Sequence, residues 1–385
     1  MDITRIGLLF STDGPYGAIG RAMLNGALLG LREANESCGA ALQPVLANPG
    51  GDLARYKLLC SRLIDRGVRH IVGCYTSSSR KELIPLVEKR DALLWYPSHY
   101  EGFESAANVI YTGAAPNQHI VPLADHVLGQ AAAGHRGPRF FCLGSNYIWA
   151  WENNRILREA VLGRGGSIVS ERYVPVGEQE LGQAIDAILE ARPDYVFCTL
   201  IGISCWRFFA GFRAACRARG IDQAREIPVL SCSLSEPELA EIPVEARDGH
   251  VSSSVYFSCV DSPASRRFVA AYDHDFPAGP PASADAESAY IAVHLLARTL
   301  AATGTSDVAR VVEAAPLHSF AAPQGEVRLD AQTMHAWLTP RIGRSRADGR
   351  FDILYEAARP VAPDPYLVGS GPRLSRVAPS LRIVS

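Results

Sequence analysis

The sequence predicts an α/β fold of two lobes built on parallel sheets. Three observations predict it. Short apolar or β-branched runs alternate with helical patterns from the first residues, as in βαβ units. Most of those runs are continuously apolar, as strands covered on both faces must be. The chain of 385 residues is too long for one core, and the alternation pauses twice, at Ala114–Gln118 and after Val251–Phe257.

The strands expected in order are Ile6–Phe10, Leu42–Ala47, His70–Cys74, Leu93–Tyr96, Val109–Thr112, Phe140–Gly144, Ile168–Val174, Tyr195–Thr199, Ile227–Ser231 and Val251–Phe257. Helices lie between them. Ile19, Met23, Ala27, Gly30 and Ala34 recur at helical spacing, as do Tyr56, Leu59, Cys60, Leu63 and Ile64. Ser262 caps a further helix, and a long apolar helix runs beyond Glu287 to about Ala302. Strand-like pieces follow at Glu326–Asp330, Thr339–Ile342 and Phe351–Tyr355, then a Pro- and Arg-rich extension. Two α/β series followed by returning segments predict two lobes connected by several crossings. Their cleft is the expected ligand site.

Composition excludes several functions. The net charge of -2 implies no basic surface for nucleic acid. Nine cysteines without a CxxC pair suit neither zinc nor a disulfide framework, and no metal or cofactor is expected. The apolar run Ile6–Phe10 is too short for a signal-peptide core, and no segment approaches the ~20 apolar residues of a membrane span. A cytoplasmic protein is expected, or a periplasmic one if the natural gene start encodes a signal peptide.

Four stations follow strand ends. Tyr75, Thr76, Ser77 and Ser78 form a hydroxyl-rich loop before a helix, with Ser79 and Glu82 at capping-box spacing. A helix start with spare N–H groups suits a carbonyl oxygen or carboxylate. A loop that only capped its helix would need one hydroxyl. Tyr96, Ser98 and His99 end the next strand and should lie beside Tyr75 and Ser77, with Trp95 turned into the core. Asn146, Tyr147 and Trp149 follow one strand of the second series. Gly202 follows another, with Ser204 a candidate N-cap. Rings at 75, 96, 147 and 149 would leave a small pocket.

Catalytic signatures do not occur: there is no GxSxG elbow, HExxH, P-loop or GxGxxG. His99 adjoins Ser98, but no carboxylate is placed in sequence to orient it. No catalytic residue is assigned, and the expectation is a non-enzyme.

The residues also carry a resemblance. Asn48–Asp52, Val72–Tyr75 with Ser77, Tyr96–Glu104, Ala115–Gln118, Gly144–Ile148, Tyr256–Ser258, Asp261–Ser265, Ala286–Tyr290, Ala322–Gly325 and Pro363–Tyr366 resemble the type I periplasmic-binding-protein superfamily. Within it they resemble the AmiC-type amide-sensing negative regulators of amidase operons, with urea and short-chain amide transport proteins as cousins. The resemblance implies the type I periplasmic binding protein fold, with two Rossmann-like lobes joined by three crossover strands. Residues 1–120 and 253–324 would form one lobe and 121–252 and 325–358 the other, with 359–385 an extension. It implies an amide pocket of Tyr75, Ser77, Tyr96, Ser98 and Tyr147. Thr76, His99, Trp149, Gly202, Ser204 and Tyr256 complete the candidate site. It implies a small amide or urea-like ligand, an RNA-binding antiterminator as partner, no direct nucleic acid or membrane contact, and a homodimer as the candidate assembly. The alternative is the substrate-binding component of an ABC importer for urea or short amides. Asn146, Ser98, His99, Trp149 and Asp285 depart from the regulator pattern, and about five extra residues enlarge the loop at 131–137. A more polar guest, such as a ureide or urea, is therefore expected as a variant.

Overall fold

A computed structural model describes residues 3–38, 41–129 and 137–369. The enlarged loop at 131–136 and residues 370–385 of the extension lie outside the described residues.

The first sheet contains β1 (Thr4–Leu9), β2 (Leu42–Ala47), β3 (His70–Gly73), β4 (Leu93–Tyr96) and β5 (Val109–Tyr111). Its order is β2-β1-β3-β4-β5 and every pair is parallel. Helices α1 (Gly17–Cys38), α2 (Leu53–Asp65) and α3 (Ser77–Lys89) connect these strands. The chain then crosses to a second series: α4 (Ile120–Gly129), β6 (Arg139–Ser145), α5 (Ile148–Gly163), β7 (Ser167–Val174), α6 (Gly182–Ala191) and β8 (Tyr195–Thr199). It continues with α7 (Ile203–Ala218), α8 (Gln223–Glu226), β9 (Val229–Ser231), α9 (Glu236–Glu241) and β10 (Val251–Ser254). A second crossing leads back to α10 (Pro263–Asp275), α11 (Ala284–Thr303), α12 (Val308–Ala314) and the hairpin β11 (Ser319–Ala322) and β12 (Gly325–Arg328). A third crossing reaches β13 (Arg341–Ser345) and β14 (Phe351–Glu356). These two join the second sheet antiparallel, in the order β14-β13-β10-β9-β8-β6-β7.

The two parallel series repeat one wiring, in which the second strand of each lies outermost. The order therefore reverses between β1 and β3, and again between β6 and β8. Such switch points open a crevice at the strand C-termini. Register sets the loops level: Leu9 pairs with Gly73, and Gly144 with Thr199.

The long helix α11 is buried on nearly every face and packs along α1. Gly26 permits this, because a Cβ there would lie 2.0 Å from the Ala286 carbonyl oxygen. The helix begins at Ala284, earlier than the sequence reading, because Ser283 caps it through the Ala286 N–H. The strand expected to reach Phe257 ends at Ser254, where the chain leaves the sheet to cross. The strand expected at Thr339–Ile342 starts at Arg341, and Ser319–Ala322 was not anticipated as a strand. Trp95 is fully buried in the first core, as expected. Among the described residues, no helix is long and apolar enough to cross a membrane.

Candidate functional site

The loops at the two switch points meet across the cleft. Thr76, rather than Ser79, caps α3: its hydroxyl accepts the Ser79 N–H at 3.2 Å. Ser77 is thus already the first helical residue. Three residues separate the N-cap from its backbone donor in both pairings, so spacing alone did not choose between them. The Ser77 hydroxyl donates to Glu101, and its side is fully buried. Tyr147, the N-cap residue of α5, approaches Ser77 from the opposite lobe, closely enough to affect the Tyr147 hydroxyl.

Behind Ser77 lies a buried ion cluster. The Arg80 guanidinium is 3.0 Å from Glu101 and 2.7 Å from Glu104, with no solvent exposure. It also lies 4.8 Å and 4.7 Å from the ring centres of Tyr96 and Tyr100. Burial alone would lower the Arg80 pKa, but Glu101, Tyr96 and Glu104 outweigh it and hold the charge firmly. Arg80 in turn keeps the half-sheltered Glu104 carboxyl below its ordinary range against the effect of burial. The Tyr96 hydroxyl donates to the Tyr75 carbonyl at 2.8 Å. Tyr96 and Tyr75 are therefore neighbours, as expected, but this hydroxyl is already engaged with backbone.

The remaining stations divide. His99 sits on the cleft, its ring edge against Trp149 of the other lobe, with centroids 5.5 Å apart. His99 Nδ1 is 3.8 Å from Asp285 Oδ1. The Ser98 hydroxyl turns back to the His99 carbonyl at 3.3 Å. Gly202, not Ser204, is the N-cap residue of α7. It adopts φ +56°, and a Cβ would lie 2.0 Å from the Pro15 carbonyl oxygen in the first lobe. Ser204 lies in the first turn with its buried hydroxyl unpartnered. Tyr256 is fully buried at the second crossing, where its hydroxyl pairs with Ser265 at 2.8 Å. Of the eleven candidate residues, His99 alone is among the described lining of the cavity between the lobes.

Between the lobes, on the hinge side, lies a small, partly open cavity of ≈ 30 Å³. His99, Ala114 and Asp285 line it from the first lobe, Ser233 and Ser235 from the second, and His119 from the first crossing. Among the described residues, no Lys or Arg lines it. Glu236 and Glu238, at the start of α9, are buried nearby. Burial pushes the Glu236 carboxyl up to about 7 and the Glu238 carboxyl well above its ordinary range, and Asp285 adds to both shifts. The Tyr75 hydroxyl is pushed up by burial and by Asp285 and Glu238, which places that phenol among the same acids. Sequence reading missed this acidic end. One signal was present: Ser235 and Glu238 have the S-x-x-E spacing, directly after a strand, and the Glu238 carboxylate accepts the Ser235 N–H at 3.1 Å.

Residues 4–371 match the model of a family described as periplasmic binding protein domain. The chain belongs to that family. Solved structures of like fold include an ABC transporter solute-binding protein from Rhodopseudomonas palustris HaA2 in complex with p-hydroxybenzoic acid. It is 20% identical over 96% of this chain and 100% of that one, with a TM-score of 0.84. A solute-binding protein from Rhodopseudomonas palustris BisB5, in complex with 3,4-dihydroxybenzoic acid, is 19% identical over 94% and 99%, with a TM-score of 0.82. A branched-chain amino acid transporter substrate-binding protein from Streptococcus pneumoniae, with isoleucine, is 17% identical over 94% and 100%, with a TM-score of 0.78. These likenesses establish the type I periplasmic binding protein fold. Among curated proteins, a limonene hydroxylase of Geobacillus stearothermophilus is 23% identical over 122 residues, which is 32% of this chain but only 22% of that relative's length. The matched family and the similar structures are those of binding proteins.

Proposed function

We propose that the protein is a non-catalytic sensor whose lobes close on a very small neutral guest, a short aliphatic amide or urea. The observation that carries this reading is the small cavity between the lobes. Its ≈ 30 Å³ holds about two or three water-sized positions, which suits a guest of about four heavy atoms. A benzoate or an isoleucine side chain would need a far wider cleft. The absence of Lys and Arg from the lining, with buried acids beside it, further disfavours a carboxylate guest.

In this reading the guest's carbonyl oxygen lies near the start of α3, where the Ser77 and Tyr147 hydroxyls can donate to it. Ser77 and Tyr147 hold that end, Tyr75 flanks it, and His99 and Trp149 close over it. Thr76 and Gly202 shape the two loops, while Tyr96, Ser98, Ser204 and Tyr256 support them. The guest favours the closed form by touching both lobes. The motif resemblance supports a cytoplasmic regulator that holds an RNA-binding antiterminator until the amide releases it. The importer component is the second reading, supported by the solute-binding proteins of like fold.

Thermal shift with acetamide, propionamide, urea, isoleucine and 4-hydroxybenzoate tests the guest. An amide or urea at 100 times its Kd adds about 2.7 kcal/mol and raises the midpoint. A shift with 4-hydroxybenzoate or isoleucine and none with amides would overturn the reading, and ammonia release from any amide would make the protein an enzyme. Co-elution of an antiterminator from amide-free cells separates the regulator from the importer. Sizing chromatography decides the homodimer.

A further inference from the structure

The hinge-side end of the cavity has an unassigned chemistry of its own. His119 belongs to the crossing between β5 and α4, is fully buried and lines the cavity. Its Nε2 lies 3.0 Å from the Tyr100 carbonyl oxygen. A carbonyl only accepts, so Nε2 carries the proton and Nδ1 is a bare acceptor in the neutral ring. Burial and the neighbouring His99 keep that ring neutral, with its pKa pushed down to about 3. Nδ1 has no hydrogen-bond partner. A buried acceptor left unmade costs free energy, so this one is poised for a donor.

A second acceptor faces the same space from another element. Asp285 stands in the first turn of α11, is buried and lines the cavity. Its nearest ionic neighbour is His99 at 3.8 Å, beyond hydrogen-bond reach. His99 borders the same space, its ring centre 5.7 Å from that of His119. The serine hydroxyls of the lining can turn to accept or donate, and among the described lining residues none brings a fixed cationic donor.

We propose that Asp285 and His119 Nδ1 form a paired acceptor that reads an unsubstituted NH2 group on a trigonal carbon. The guest is then selected by its N–H donors at this end, independently of how its carbonyl is held at α3. This rests on the small-guest reading above and names the feature that guest must carry. Ketones and carboxylates of the same shape are rejected, since they leave both acceptors unpaired.

Calorimetry with urea, acetamide and acetone tests this. Acetone matches acetamide in shape and lacks only the N–H donors. Acetamide should bind at least about thirtyfold tighter than acetone, as expected for two buried hydrogen bonds. In the Asp285→Ala variant the acetamide-to-acetone ratio should fall about tenfold. A ratio is unaffected by a loss of folded protein, and the wild-type series needs no variant. Acetone binding within threefold of acetamide, or an unchanged ratio in Asp285→Ala, overturns the inference while leaving the small-guest reading intact. No binding of any of the three to the wild-type protein overturns both.

Discussion

Replacing Gly202 by Ala should cripple ligand binding without touching a ligand contact. Gly202 holds φ +56° and ψ -132°, a conformation that costs an L residue on the order of 1–3 kcal/mol. That cost acts on the backbone of α7 whether the lobes are open or closed. The second cost belongs to the closed form alone. The new Cβ would lie 2.0 Å from the Pro15 carbonyl oxygen, and Cβ contacts under 3.0 Å are essentially never made. Pro15 sits on backbone beside a buried helix, so the lobes must part by roughly 1 Å there instead. A gap of that size loosens the van der Waals contacts across the cleft and moves the Tyr147 lobe out of hydrogen-bond reach of a guest held by the other. Losing one or two hydrogen bonds to the guest costs about 1–3 kcal/mol, which is roughly 5- to 150-fold in Kd. Titration calorimetry with the best-binding amide reads the affinity, and the ligand-free melting midpoint reads the backbone cost separately. Parental affinity in Gly202→Ala would refute the claim that this contact belongs to the ligand-binding form.

Other expectations follow from the buried charges. Arg80→Met leaves the sheltered Glu101 and Glu104 with only the half-exposed Lys81 as cation and should cost about 3 kcal/mol in urea denaturation; a loss under 1 kcal/mol would contradict the cluster. Burial raises Glu236 to about 7 and Glu287 to about 8, from an ordinary 4.5. The folded chain thus holds protons that the unfolded chain releases, so this stability is full below about pH 4.5 and is lost as pH rises through 7 and 8, by a few kcal/mol. Glu287→Gln should flatten the fall in melting midpoint between pH 5 and 8, and an unchanged slope would count against it. Tyr147→Phe should weaken amide binding about 2- to 13-fold, the worth of one hydrogen bond, with the ring packing retained; calorimetry showing no change would remove Tyr147 from the site.

Much of the local structure was legible because it is set by local forces. Leu93–Tyr96 and Tyr195–Thr199 are strands covered on both faces, and their unbroken apolar runs show it. The cleft loops were legible too, since a hydroxyl-rich turn after such a strand marks a helix start. The errors fall where two local choices are equal. Thr76 and Ser79 both have a backbone donor three residues on, and packing chose Thr76. Ser204 lost the cap to Gly202 because the opposing Pro15 carbonyl leaves no room for a side chain.

The sequence by itself determined that two parallel α/β series would place four loops around one cleft, and that hydroxyls and rings would fill it. Periodicity and strand ends carry that much. Only the tertiary structure decided what those groups do. The Tyr96 hydroxyl, a candidate ligand contact in the sequence, meets the Tyr75 carbonyl in the fold. Asp285 and His119 lie 166 positions apart and become two walls of one cavity. Burial then altered their chemistry, leaving one imidazole nitrogen bare and two nearby carboxyls reluctant to ionise. Burial and long-range proximity depend on the folded arrangement of distant segments, and no local pattern in the chain records them.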